Sequence, residues 1–203
     1  MSVWRKYMYM GKNRIETLVD GIFAIAMTLL VLDLAVPHIN GPLNEFIVQN
    51  ALYGLVPSFI SMVVSFVLLA MFWNIHHRIY SQIKSVNNTL LWINIIWLLF
   101  IVLVPFSASL NGEYGDFTIS DLIFNVNMLG IALILLGNIY IIKRDDVINE
   151  KVDVNRLASS EKATIIFILI AILAIVLSFI VPRWGNLVYL LIFPIEMLMD
   201  CRS

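Results

Sequence analysis

The chain has 203 residues, of which 61 % are hydrophobic and 13 % charged, with a mean hydropathy of +0.91 and a formal net charge of −1. A water-soluble domain is about 45–50 % apolar and about 25 % charged, so a soluble fold is excluded and the solvent of this chain is lipid. Its one cysteine, Cys201, excludes an intrachain disulfide and leaves the redox compartment unread.

A spanning helix needs ~20 mostly apolar residues. Six segments meet or approach that length: 15–36, 51–75, 89–110, 119–142, 163–181 and 184–199. No small-residue cleavage site follows the first, which is therefore expected to be a span and not a removable leader. Pro37, Gly41 and Pro42 break the chain after it, "NGEYGD" breaks it after the third segment, and "VPRWGN" precedes the sixth, which is short and contains Pro194. The predicted fold class is all-α: residues 1–203 as a single six-helix transmembrane domain.

Basic residues give the orientation. Arg5, Lys6, Lys12 and Arg14 precede the first span, and Arg78 and Lys84 lie in the second connection. Lys143, Arg144, Lys151, Arg156 and Lys162 lie in or beside the fourth, and Arg202 follows the sixth span. Only Arg183 falls on the other side. The expected topology has both termini in the cytoplasm, and the basic loops are membrane-flanking anchors with no nucleic-acid-binding pattern.

Polar residues inside the spans carry the functional information, because a mid-helix charge costs roughly 2.5–3.5 kcal/mol on insertion scales. Arg14 and Asp20 on the first span, Trp73, His76 and His77 on the second and Asn94 on the third fall at one level near the cytoplasmic face. We expect them to meet, with Asp20 paired to Arg14 or a histidine and with Trp73 and Asn94 as further hydrogen-bonding partners. Trp73 and His77 are four apart and share a helix face. Arg14 and the histidines also have the plainer option of sitting among lipid headgroups. A short aspartate does not snorkel far, so Asp20 is expected to lock helices together. No mid-helix charge is expected away from the cytoplasmic end except Glu196 in the sixth segment.

On the first span, Ile25, Leu29 and Leu32 fall within about 60° of one another at 100° per residue, with Thr28 about 60° from Ile25 and Asp20 about 140° from it. The periodicity leaves two options open: the stripe faces lipid or helices, or it has a function. Thr28 also has the local option of bonding the carbonyl four residues back.

The segment 14–34, "RIETLVDGIFAIAMTLLVLDL", resembles the first-helix signature of the transmembrane protein 175 family of potassium channels. That signature is an arginine followed by Phe-Ser-Asp and then a stretch like "GIFAIAMTLLVLDL". Six spans, Trp73 with "HH" at the end of the second and a basic fourth connection extend the likeness. The signature occurs once, as in the prokaryotic members, which have one repeat per subunit. Leu18 and Val19 replace the family's Phe-Ser.

The resemblance implies a homotetramer with the first helix of each subunit lining a central pore. It implies that Ile25, Leu29 and Leu32 form a hydrophobic constriction and that Thr28 serves ion selectivity. It also implies that Arg14 and Asp20, with Trp73 and His77, belong to a packing and polar network. The permeant species would be potassium in preference to sodium, with no cofactor and no metal site, in the plasma membrane. Some animal relatives also pass protons. Asp33, at the far end of the helix, either concentrates cations at the mouth or caps the helix. The alternatives from other classes are a small secondary transporter and a structural membrane protein. An intramembrane enzyme lacks support, since no His or Glu spacing suits a metal and adjacent histidines point to different helix faces.

Overall fold

A computed structural model describes residues 11–32, 34–39, 41, 44–144, 154–182 and 185–192, and among these every regular element is helical. The elements are α1 (Lys12–Leu32), α2 (Glu45–Gly54), α3 (Val56–Ser81), α4 (Asn88–Val102), α5 (Val104–Tyr114), α6 (Thr118–Arg144) and α7 (Val154–Ser178), followed by a 3-10 helix at Gly185–Leu191.

Prolines explain why two expected spans are each divided. Pro57 and Pro105 lie in the first turns of α3 and α5, directly after joints at Leu55 and Leu103. Proline lacks an N–H and its ring collides with the carbonyl four residues back, so a helix bends or restarts there. Counted through these joints, five helical stretches among the described residues are long and apolar enough to cross a membrane: Lys12–Leu32, Glu45–Ser81, Asn88–Tyr114, Thr118–Arg144 and Asn155–Ser178. The chain is a multi-pass membrane protein. Asn44 and Asn87 start α2 and α4 by accepting the amides of Ile47 and Leu90, each at 2.8 Å.

The expected sixth helix, 184–199, begins instead as the 3-10 helix, and residues 193–203 lie outside the described residues. A 3-10 helix repeats every three residues, which puts Asn186, Tyr189 and Ile192 on one face; all three are buried. Asn186 donates to Asp121, Tyr189 Oη donates to Asn125 at 2.8 Å, and the Tyr189 ring stacks on Phe167. An α-helix would rotate Asn186 and Tyr189 about 60° apart and lose that shared face.

The core is aromatic and aliphatic, with Trp97, Tyr80, Tyr189, Phe23, Phe72, Phe124 and Phe167 fully buried, while residues such as Phe46, Phe66, Trp92, Phe106 and Phe179 are exposed. Apolar surface on both inside and outside is the pattern that lipid permits. α6 and α7 pack side by side, and the Lys143–Glu161 ion pair ties the last turn of α6 to α7. Near the two proline joints α3 and α5 come very close: a Cβ on Gly112 would lie 2.8 Å from the Ser58 Cα. Backbone cannot yield there as a side chain can, so Gly112→Ala is expected to destabilise by about 1–3 kcal/mol. The check is a lower unfolding temperature in detergent micelles; an unchanged one would mean that the α3–α5 crossing relaxes freely.

Candidate functional site

α1 is attached along one seam. Ile15, Val19, Phe23, Ala26 and Leu30 are buried, spaced four, four, three and four residues apart against α3, α4 and α5. Such spacing keeps one narrow stripe toward its neighbours. Ile22 and Met27 flank the seam half-buried, the far side of the helix is uncovered by the described residues, and α1 is the least buried of the five long stretches.

Ile25, Leu29 and Leu32 lie on the uncovered side, at 60 %, 40 % and 72 % exposure. Their stripe is rotated by about 110° from the middle of the seam. Thr28 is exposed beside it, and its hydroxyl donates to the Ile25 carbonyl at 2.8 Å, three residues back rather than four. That bond uses the proton and leaves the oxygen lone pairs facing outward. Arg14 is exposed and falls at the start of the same stripe, eleven residues and about 16 Å before Ile25. Asp33 lies outside the described residues.

The polar residues expected to form one network fall into two groups. Asp20 is exposed and its Oδ1 accepts the Trp73 indole N–H at 2.8 Å; the indole in turn stacks on His77, with ring centroids 6.0 Å apart. His76 and Asn94 are buried and bond each other at 3.1 Å. The His76 ring lies between Tyr80 and Trp97, at 4.0 and 4.8 Å, and Phe23 of the α1 seam reaches Trp97 at 5.4 Å. Trp97 also donates to the Ile131 carbonyl of α6 at 3.1 Å. Adjacent histidines, about 100° apart, thus serve different faces of α3, one in the core and one at the surface.

Arg14 and Asp20 form no ion pair among the described residues. Six positions along a helix put them about 120° apart, so the first span offers its own aspartate no basic partner. The indole is the partner instead, a neutral donor to a carboxylate.

Two features went unread in the sequence. One is the aromatic stack, since Trp97, Tyr80 and Phe23 look like ordinary apolar residues until the helices pack. The other is a buried acid at a helix start, which the expectation about mid-helix charge did not cover; Glu196 itself lies outside the described residues. Asp121 sits in the first turn of α6, fully buried, with Asn111 and Asn186 donating to its Oδ1 at 2.9 and 2.6 Å. Its signal was the run "SDLIFNVN" at the start of an otherwise apolar segment, where one acid and two amides interrupt the hydrophobic pattern.

Comparison with known proteins bears on this geometry. The family described as the endosomal/lysosomal potassium channel TMEM175 matches residues 14–105, which carry α1, its seam, Trp73, both histidines and Asn94. A crystal structure of a lysosomal potassium-selective channel TMEM175 homologue from Chamaesiphon minutus superposes with a TM-score of 0.78 at 25 % identity, covering 94 % of this chain and 97 % of that one. Just under half of the chain thus matches the TMEM175 family model, and the whole of it shares the fold of that homologue. A potassium channel of Chryseobacterium sp. is 29 % identical over 195 residues, covering 95 % of this chain and 96 % of the relative. A potassium channel of Streptomyces collinus is 37 % identical over 102 residues, covering 50 % of this chain and 48 % of that protein, so that match spans about half of each.

The Asp20–Trp73 bond is testable in isolation. In a double-mutant cycle, Asp20→Asn and Trp73→Phe are expected to show a coupling of about 1.5–3 kcal/mol, the range for a hydrogen bond to a charged group. Additive effects on unfolding would show that the contact contributes nothing to the TMEM175 fold.

Proposed function

We propose that this chain is a potassium-conducting channel in the plasma membrane. Four copies surround an axis walled by the exposed stripe of α1, with both termini in the cytoplasm. The observation that carries this reading is that Ile25, Leu29, Leu32 and Thr28 all stand on the side of α1 that none of the described residues covers. The basic-residue distribution supports the orientation, and the relatives named as potassium channels support the ion.

Around a fourfold axis each residue becomes a ring. Rings of isoleucine and leucine make a dry neck, which blocks ions by size and by excluding water and needs no charged plug. Opening then requires the neck to widen, by retraction or rotation of α1. That movement has to carry α3 and α4 side chains with it, because the Asp20–Trp73 bond and the Phe23–Trp97 contact hold α1 on two faces.

Thr28 supplies the chemistry that leucine lacks. With its proton committed to the Ile25 carbonyl, each hydroxyl turns lone pairs toward the axis, and four of them replace part of the shell of a dehydrating cation. No "TVGYG" filter is present in the sequence, so selectivity rests on few oxygens and is moderate. Arg14, at the start of the stripe, places positive charge at the cytoplasmic mouth. Asp20 stays off the axis and holds α1 to α3 through Trp73.

Replacing Thr28 by alanine or valine is expected to lower the preference for potassium over sodium in bi-ionic recordings. A fivefold loss in permeability ratio moves the reversal potential by about 40 mV, at ~59 mV per tenfold for a monovalent ion. An unmoved potential removes Thr28 from the selectivity mechanism. Ile25→Ala and Leu29→Ala are expected to raise basal potassium flux in liposomes. Wild-type flux in both, at normal protein levels, would place the gate elsewhere. Native mass spectrometry of the purified protein checks the tetramer, and Asp20→Ala is expected to reduce the tetrameric fraction before it alters selectivity.

A further inference from the structure

At the end of the bundle opposite Asp20 and Trp73, a cavity of about 30 Å3 lies among α3, α5, α6 and the 3-10 helix. Its apolar walls include Ile60, Val64 and Phe124, and its polar wall is made by Ser61, Asn111 and Asn186, all buried. The orientation of each polar group is dictated from behind. Asn111 and Asn186 both spend an amide hydrogen on Asp121 Oδ1. An ionised carboxylate only accepts, so their NH2 groups must face it and their oxygens take the other branch of the amide. Asn186 Oδ1 is buried and has no partner among the described residues. Ser61 donates its proton to the Ala108 carbonyl at 2.8 Å and keeps only lone pairs. The cavity wall therefore carries two acceptors with no donor of their own, Ser61 Oγ and Asn186 Oδ1, beside the second N–H of each amide.

The second problem is charge. Asp121 is fully buried, forms no ion pair among the described residues, and its Oδ2 has no hydrogen-bond partner there. Two amide donors and the α6 N-terminus stabilise the carboxylate in part, yet an uncompensated charge in a lipid-embedded interior is costly. A water in the cavity would satisfy the acceptors and leave the charge. A proton on Asp121 would remove the charge and leave the acceptors without a donor. One occupant answers both.

We propose that this cavity binds an alkali-metal cation, held by the side-chain oxygens of Asn111, Asn186 and Ser61, with Asp121 as its counter-charge one amide away. A volume near that of a single water admits one such ion and no larger organic cation. One carboxylate balances a single positive charge, whereas calcium sites gather several carboxylates. The site is independent of the channel axis: it lies within one protomer and uses none of the α1 stripe. Its occupant would staple the 3-10 helix to α3 and α5.

The test is thermal unfolding of the full chain in detergent micelles, with N-methyl-D-glucamine chloride replaced at constant ionic strength by NaCl, KCl or CaCl2. We expect a saturable rise in Tm with sodium, potassium or both, as mass action requires of a ligand bound only by the folded state, and none with calcium beyond its ionic strength. Ser61→Ala, which leaves the Asp121 pair intact, is expected to raise the half-saturating concentration at least tenfold, and Asp121→Asn to abolish the effect. Thr28→Ala should leave it unchanged. Equal Tm in all salts would overturn the site in favour of a water or a proton. A rise that survives Ser61→Ala and Asp121→Asn, or disappears in Thr28→Ala, would overturn it by placing the ion on the pore axis.

Discussion

The rotation of α1 is fixed by a stack of rings. Phe23 meets Trp97, Trp97 meets His76, and His76 meets Tyr80, so that one seam residue of α1 is keyed into α4 and α3 together. Trp97 is held in turn by the Ile131 carbonyl of α6 and His76 by Asn94. Aromatic planes tolerate little rotation before they clash, which makes the stack a better angular reference than an aliphatic seam alone. Everything argued for Ile25, Leu29, Leu32 and Thr28 depends on this reference, since turning α1 by one residue's angle would bury part of the stripe and expose part of the seam.

Polar groups in this protein divide by the kind of partner they have. Near one end of the bundle Asp20 meets a neutral indole at the surface of the protomer, where a second partner has access to its other oxygen. Near the other end Asp121 meets two amides in full burial. Among the described residues, neither carboxylate has a direct arginine or lysine contact. A fixed hydrogen-bond donor holds a carboxylate in one direction, and the geometry then passes to the next residue: Trp73 to His77 in the first case, the two asparagines to the cavity in the second.

Much of the fold was legible because lipid imposes a simple rule. Long apolar runs become helices, and the all-α class follows from composition and spacing. The joints at Leu55 and Leu103 were half-legible: Pro57 and Pro105 are visible in the sequence, but a proline in a membrane span marks a kink, a restart or a tolerated irregularity until neighbours are known. The 3-10 geometry at Gly185–Leu191 was not legible, because the partners that select it, Asp121, Asn125 and Phe167, come from α6 and α7. The positions of Ile25, Leu29, Leu32 and Thr28 on one side of α1 followed from angular arithmetic. Whether that side was covered by the same chain did not, and required the seam. Of the partners expected for Asp20, namely Arg14 or a histidine with Trp73 and Asn94 as further ones, the structure joins Trp73, fifty-three residues away, while the helix turns Arg14 aside.

The narrow seam of α1 has a bearing on how copies come together. A subunit alone in a bilayer meets acyl chains with the same isoleucine and leucine side chains that it would present to other subunits. Exchanging lipid for protein at that surface yields no hydrophobic gain, since both are equally oily. In the proposed tetramer, recruitment through this face would rest on close fit and on the few polar groups at its margin, with subunit density in the membrane, and not water avoidance, governing how many complete assemblies form.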